Sequence, residues 1–156
     1  EGFAHPRAGV HTYANRGLAG IDGNISTALG VAYGHKATIA VLGDLSFLHD
    51  LTGLINKEAI NCRFIVINND GGGIFSTLPQ RGVEGFETVF GTPHGLNPAA
   101  IAQAMGVDAK QIGSLKELEA EMKAPISGIS VVVCDVPDRE SNADNLKKIV
   151  EALASI

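Results

Sequence analysis

Tryptophan is absent from this sequence, cysteine occurs twice, and aromatic residues make up only 5% of it. No apolar run approaches the roughly 18 residues a membrane-spanning helix needs, so no span is expected. The opening residues carry no signal-peptide pattern. Basic charge is scarce as well: 12 Lys and Arg stand against 17 Asp and Glu, a formal net charge of -5. A nucleic-acid surface needs a basic face, so nucleic acid is not an expected partner. Cys62 and Cys134 form no CxxC pair and sit in or beside apolar runs. They read as buried free thiols, which fits a reducing cytoplasm. The familiar phosphate loops are missing: there is no Walker A sequence, and Gly17, Gly20 and Gly23 lack GxGxxG spacing. His5, His11 and His35 show no metal-ligand spacing.

What remains is a chain of 156 residues, 45% hydrophobic, enough for one domain over residues 1–156 with a packed core. The first residue is Glu1 rather than Met, which suggests a stretch of something longer. Three short apolar runs read as strands buried on both faces: Thr38 to Leu42, Phe64 to Ile67, and Ile129 to Cys134. Val10 to Tyr13 is a candidate for a shorter strand. Helices are expected over Ser26 to Tyr33, Leu48 to Ala59, from Asn97-Pro98 onward, over Leu115 to Met122 after a Ser114 cap, and over Asp144 to Leu153. This alternation predicts an α/β three-layer sandwich with a mostly parallel sheet. Gly71 to Leu96 has no period and is long for a loop, which points to function. Its Phe75, Phe86 and Phe90 favour a binding loop or a partner interface.

The chemistry gathers where two strands end. One end reads Gly43-Asp44-Leu45-Ser46 and the other Asn68-Asn69-Asp70-Gly71-Gly72-Gly73, with 23 residues between Asp44 and Asn68. That interval holds one crossover helix, which sets the two ends side by side at the ligand-binding edge of a parallel sheet. Asp44 offers an anionic oxygen, Asn69 a neutral one, and Gly71 its carbonyl. Three hard oxygens of low charge suit Mg²⁺ completed by phosphate oxygens and water. Glycines allow close approach to a diphosphate, and a helix N-terminus supplies N–H donors. Alone, Gly-Asp or Asn-Asn-Asp-Gly is a turn; together at this spacing they make a sharper signal.

Gly43-Asp44 followed by Asn68-Asn69 resembles the cofactor-binding signature of thiamine diphosphate (ThDP) enzymes. Asn15 through Gly23, Gly43 through Asp50, Asn68 through Phe75, Leu78-Pro79-Gln80 and Phe90 through Leu96 resemble one branch. That branch is the 2-succinyl-5-enolpyruvyl-6-hydroxy-3-cyclohexene-1-carboxylate (SEPHCHC) synthases of menaquinone biosynthesis. Ala14 and Thr52 depart from its usual serine and asparagine. The resemblance implies a transferase that decarboxylates 2-oxoglutarate and adds the succinyl carbanion equivalent to isochorismate in a 1,4 fashion.

Roles follow by position. The resemblance implies that Asp44, Asn69 and the Gly71 carbonyl hold Mg²⁺, with Mn²⁺ as a substitute. Leu45 and Ser46 would contact the diphosphate, and Ile21 would support the bent cofactor. Ile74, Phe75 and Leu78 would form an apolar wall at the substrate, and Arg16 would bind a substrate carboxylate. Each also has a plainer reading: Arg16 as a surface residue, Ile21 as core, Ile74 and Phe75 as loop anchors. His94 is a candidate general base but reads better as loop structure. His49 and Asp50 read as the first turns of a helix. No catalytic residue is expected here, because the family's activating glutamate lies on a pyrimidine-binding module, in a neighbouring subunit of a homodimer or homotetramer. The chain then reads as the C-terminal part of a multi-domain enzyme and inactive alone. The competing readings are another ThDP-dependent decarboxylase or acetolactate-synthase-like module, and a non-catalytic α/β interaction module.

Overall fold

The computed structural model describes residues 7–15, 17–56 and 58–154. The three apolar runs become strands β1 (Thr38–Gly43), β2 (Cys62–Asn68) and β4 (Ile129–Asp135). A further strand, β3 (Asp108–Ile112), joins them, and the sheet is parallel throughout in the order β1-β2-β4-β3. Because side chains alternate across a strand, β2 and β4 send Phe64, Val66, Val131 and Val133 to one face. They send Ile65, Val132 and Cys134 to the other.

Helices cover both faces. Ile25 and Leu29 of α1 (Asn24–Tyr33), Phe47 of α2 (Asp44–Leu48), and Ala99 and Ala102 of α3 (Pro98–Ala104) fill the first. Leu118 of α4 (Leu115–Lys123) packs on the second with Ile112. The result is the three-layer α/β sandwich expected from the sequence. Phe47 is wholly buried; removing such a ring typically costs about 3–5 kcal/mol.

Helix starts follow local chemistry. Asn97 accepts the Ala100 N–H at 3.0 Å with Pro98 at the first helical position. Ser114 accepts the Glu117 N–H at 3.3 Å, and the Glu117 carboxylate turns back to the Ser114 hydroxyl and the Gly113 N–H. α5 (Arg139–Ala154) starts earlier than the apolar period indicates, because Asp138 takes the Ser141 N–H at 2.9 Å and its hydroxyl at 2.7 Å.

Three expectations need correction. Val10 to Tyr13 forms no strand; it lies exposed, with the Tyr13 hydroxyl 3.2 Å from His35 Nε2. Leu48 to Ala59 is not one helix. α2 ends at Leu48 and a 3₁₀ turn spans Leu51–Leu54. The break lets Asp50 serve another element: its carboxylate accepts the Ser26 N–H at 2.7 Å and the Ser26 hydroxyl at 3.1 Å, in the first turn of α1. A Cβ at Gly53 would overlap the Ser26 and Ile25 side chains, so this approach requires glycine. His49 and Asp50 therefore follow a helix instead of opening one.

Arg63 is the one buried basic residue of the sheet among those described. Its guanidinium donates to the carbonyls of Glu121, Ala124 and Pro125, the last two at 3.0 and 2.9 Å. These carbonyls lie at and just beyond the C-terminal end of α4, where the helix supplies few donors of its own.

Candidate functional site

Parallel pairing decides where the site lies. Gly43 pairs with Ile67 in register and Asn68 with Asp135, so β1, β2 and β4 finish together. The Asn68 side chain spends itself on that edge, donating to Asp135 Oδ1 at 2.8 Å. Asn69 and the following glycines are left to face Asp44.

Asp44 opens α2 and is 2% exposed. A carboxylate buried this far needs several donors. Oδ1 accepts the Leu45 N–H at 2.7 Å. Oδ2 accepts the N–H groups of Asn69 and Gly71 at 3.2 and 2.9 Å and lies 3.2 Å from His94 Nε2. The carboxylate thus sits against the loop that carries the Asn69 amide and the Gly71 carbonyl.

That loop is folded tightly. Asp70 has φ 59, a left-handed conformation that Asp tolerates better than most residues. Its Oδ1 accepts the N–H groups of His94 and Gly95 at 3.0 and 2.7 Å. These bonds, Gly95 first, hold the Asp70 carboxyl below the usual carboxylate range. Gly71 has φ 129, and a Cβ there would overlap the Gly91 carbonyl; one at Gly72 would overlap that of Phe90. The Gly72 N–H donates to Gly91 O at 2.7 Å. A single π turn at Glu87–Gly91, closed by Thr92 N–H to Glu87 O at 2.7 Å, presents those carbonyls. The Phe75 and Phe90 rings meet at a tilt of 53° with centroids 5.4 Å apart, and the Phe86 ring lies 5.7 Å from that of Phe90. The long segment without a period is therefore organised by loop-to-loop contact, which no local sequence pattern encodes.

The oxygens present fit a hard divalent cation. Among the described residues Asp44 Oδ1 has one donor and keeps capacity for another partner. The Asn69 amide makes no hydrogen bond to a described residue and packs against the Gly73 backbone, where a Cβ would overlap it. Among the described residues no three His, Cys, Asp or Glu gather as a metal-ligand group. A cation here needs ligands from outside the protein, as a phosphate-bound Mg²⁺ has.

The other site residues vary. Ser46 donates its hydroxyl to Ile21 O at 3.0 Å and accepts from Asn24 Nδ2 at 2.8 Å, so that hydroxyl proton is already engaged. Its N–H stands in the first turn of α2 beside that of Leu45. Ile21 is 42% exposed, Ile74 68% and Leu78 40%, so these apolar side chains form no closed wall within this chain. Arg16 lies outside the described residues. Sequence reasoning missed Asn24, which donates to Ile21 O at 2.8 Å and accepts from Asn15 Nδ2 at 2.9 Å. It also missed that His94 meets Asp44; the Thr-Pro-His-Gly segment was the available signal. Both cysteines are free and buried.

A parallel sheet whose adjoining strand ends present one buried carboxylate, an asparagine and a glycine-lined loop belongs to the class of α/β domains that take ligands at the carboxyl edge of the sheet. Residues 3–136 match the family described as thiamine pyrophosphate enzyme, C-terminal TPP binding domain, and the chain belongs to that family. It is similar to two curated 2-succinyl-5-enolpyruvyl-6-hydroxy-3-cyclohexene-1-carboxylate synthases. That of Lactococcus lactis subsp. lactis is 44% identical over 129 residues, covering 80% of this chain and 23% of the relative. That of Paenarthrobacter aurescens is 39% identical over 165 residues, covering 99% of this chain and 29% of the relative. The chain thus spans about a quarter of the length of the curated relatives it matches. Among solved structures, the Rhodococcus jostii RHA1 thiamine diphosphate-dependent 4-hydroxybenzoylformate decarboxylase aligns with a TM-score of 0.58 at 16% identity. That alignment covers 75% of this chain and 23% of the other, and it bears on the fold alone.

Proposed function

We propose that these residues form the diphosphate- and Mg²⁺-binding C-terminal module of a longer SEPHCHC synthase. The observation that carries this reading is the Asp44 carboxylate against the Asn69 and Gly71 N–H groups, with the Asn69 amide and Gly71 carbonyl on the same loop. Asp44, Asn69 and the Gly71 carbonyl would hold Mg²⁺ or Mn²⁺. The backbone at Leu45 and Ser46 would meet the diphosphate. When bound, ThDP supplies the electron sink for decarboxylating a 2-oxo acid.

This chain's own groups bind, orient and exclude water. Ile21 would support the cofactor, its carbonyl held by Ser46 and Asn24. Ile74, Phe75 and Leu78 would face the substrate; the exposure of Ile74 and Leu78 is explained if the pyrimidine-binding module of a neighbouring subunit closes over them. Arg16 would pair with a substrate carboxylate. The substrates would be 2-oxoglutarate and isochorismate, in a cytoplasmic homodimer or homotetramer. Two buried free thiols agree with that compartment, and among the described residues no helix is long and apolar enough to cross a membrane.

The test is made on the full-length synthase. ThDP and Mg²⁺ binding is measured by calorimetry for the parent and for Asp44→Ala, and turnover of 2-oxoglutarate with and without isochorismate. Loss of Mg²⁺-dependent binding in the variant, with product only when isochorismate is present, is the expected result. Unchanged affinity removes Asp44 from the metal site. Turnover of 2-oxoglutarate alone favours a simple decarboxylase. The isolated module should give little heat and no turnover.

A further inference from the structure

The ring of His94 is held at both nitrogens. Leu96 N–H donates to Nδ1 at 3.0 Å. A ring nitrogen that accepts carries no proton, so the ring N–H is on Nε2. Nε2 lies 3.2 Å from Asp44 Oδ2, and it is therefore the donor of that bond. The His94 side chain is only 9% exposed, and its backbone N–H is fixed in turn by Asp70 Oδ1 at 3.0 Å. A residue 50 positions from Asp44 in sequence is thus set against it in one orientation and one tautomer.

The consequence lies in how the two carboxylate oxygens are used. Oδ2 receives three donors: the Asn69 N–H, the Gly71 N–H and His94 Nε2–H. Oδ1 receives one among the described residues, the Leu45 N–H. An oxygen with three donors has no capacity left, whereas Oδ1 retains it. We propose that His94 is a positioning residue for the metal site: its Nε2–H completes the set of donors on Oδ2, fixes the carboxylate's rotation, and leaves Oδ1 as the cation-binding oxygen. It neither ligates the metal nor acts as the general base. The inference rests on the reading of Asp44 as a metal ligand. Hydrogen-bonding partners of ligating groups typically change metal affinity about 10- to 100-fold when removed.

The experiment is a Mn²⁺ titration of the full-length synthase with ThDP, reading free Mn²⁺ by electron paramagnetic resonance. It compares the parent, His94→Ala, His94→Gln and Asp44→Ala, with thermal unfolding confirming that each is folded. Alanine at 94 should weaken Mn²⁺ binding by about 10-fold or more. Glutamine, whose amide N–H can take the place of Nε2–H, should recover most of that loss, and Asp44→Ala should abolish binding. If Asp44→Ala abolishes binding while His94→Ala leaves it unchanged, the role of His94 is wrong and the site stands. Equal weakening in the alanine and glutamine variants also overturns it, since the donated hydrogen bond is then not what matters. If Asp44→Ala itself binds Mn²⁺ normally, the underlying site reading fails.

Discussion

The Ser46 hydroxyl donates to the Ile21 carbonyl at 3.0 Å, across 25 residues of sequence. Asn24 donates to the same carbonyl and to the Ser46 oxygen, each at 2.8 Å. The turn carrying Ile21 is thereby tied to the helix that Asp44 opens, and an exposed apolar side chain is kept in place through its backbone. Asn24→Ala deletes two of these bonds. It should lower stability by about 1–2 kcal/mol, seen as a reduced urea midpoint with an unchanged slope. An unmoved midpoint would mean that water replaces the amide without loss.

Gly71→Ala should be more damaging. The residue has φ 129, and its Cβ would overlap the Gly91 carbonyl. Strain and the lost loop contact together should cost about 2–4 kcal/mol. Hydrogen exchange at Gly72 N–H, bonded to Gly91 O, should accelerate. Retained protection there would show that the loops accommodate the methyl group.

Arg63 serves three carbonyls at the end of α4. Arg63→Met keeps much of the volume and leaves the Ala124 and Pro125 carbonyls without this donor, at about 2–4 kcal/mol. Arg63→Lys should recover only part, because an ammonium cannot reach all three as the planar fork does. Denaturant unfolding of the three proteins orders them; equal stability of Met and Arg at this position would contradict the assignment.

Burial pushes the Cys62 thiol up to about 12. The native protein should react negligibly with a thiol reagent at this position at pH 8, and the unfolded protein promptly. Because the folded value lies above the unfolded one, near ~8.5, this group's contribution is whole below that pH. It is lost as pH rises towards the folded value. Rapid labelling of native Cys62, located by peptide mass, would refute the packing described.

Arg81 joins the long loop to α5, with Nη1 2.7 Å from Asp144 Oδ1 and Nε 2.6 Å from Glu140 Oε2. Its hydrogen bond, then its charge, lowers the Asp144 pKa. The contact should be complete above the unfolded-state value of roughly 4 and lost as pH falls through the lower folded one. Nuclear magnetic resonance titration of the Asp144 carboxyl in the parent and in Arg81→Met checks this; identical curves would dismiss the pair.

The legible part of this fold was the part written locally. Thr38 to Leu42, Phe64 to Ile67 and Ile129 to Cys134 announce buried strands by composition, and Asn97-Pro98 and Ser114 announce helix starts. β3 was missed because Asp108-Ala-Lys-Gln-Ile is a polar edge strand with only Ala109 and Ile112 buried; pairing, not composition, makes it a strand. The crossover was misread because Asp50 and Gly53 answer to α1, not to their own neighbours. Motif spacing brought Asp44, Asn69 and Gly71 under suspicion together. The Thr-Pro-His-Gly segment singles out His94, but its meeting with Asp44 depends on the folding of the 71–96 segment, which no local pattern encodes.

The bond from Gly72 to Gly91 pinches that segment shut at its neck. Beyond the neck, from 73 to 90, a change of length costs closure entropy that grows only logarithmically. Under the proposed function, a change of length at the tip near 82–85 would alter the rim that meets the substrate while the Gly72–Gly91 bond still holds the Asn69–Gly71 turn below it.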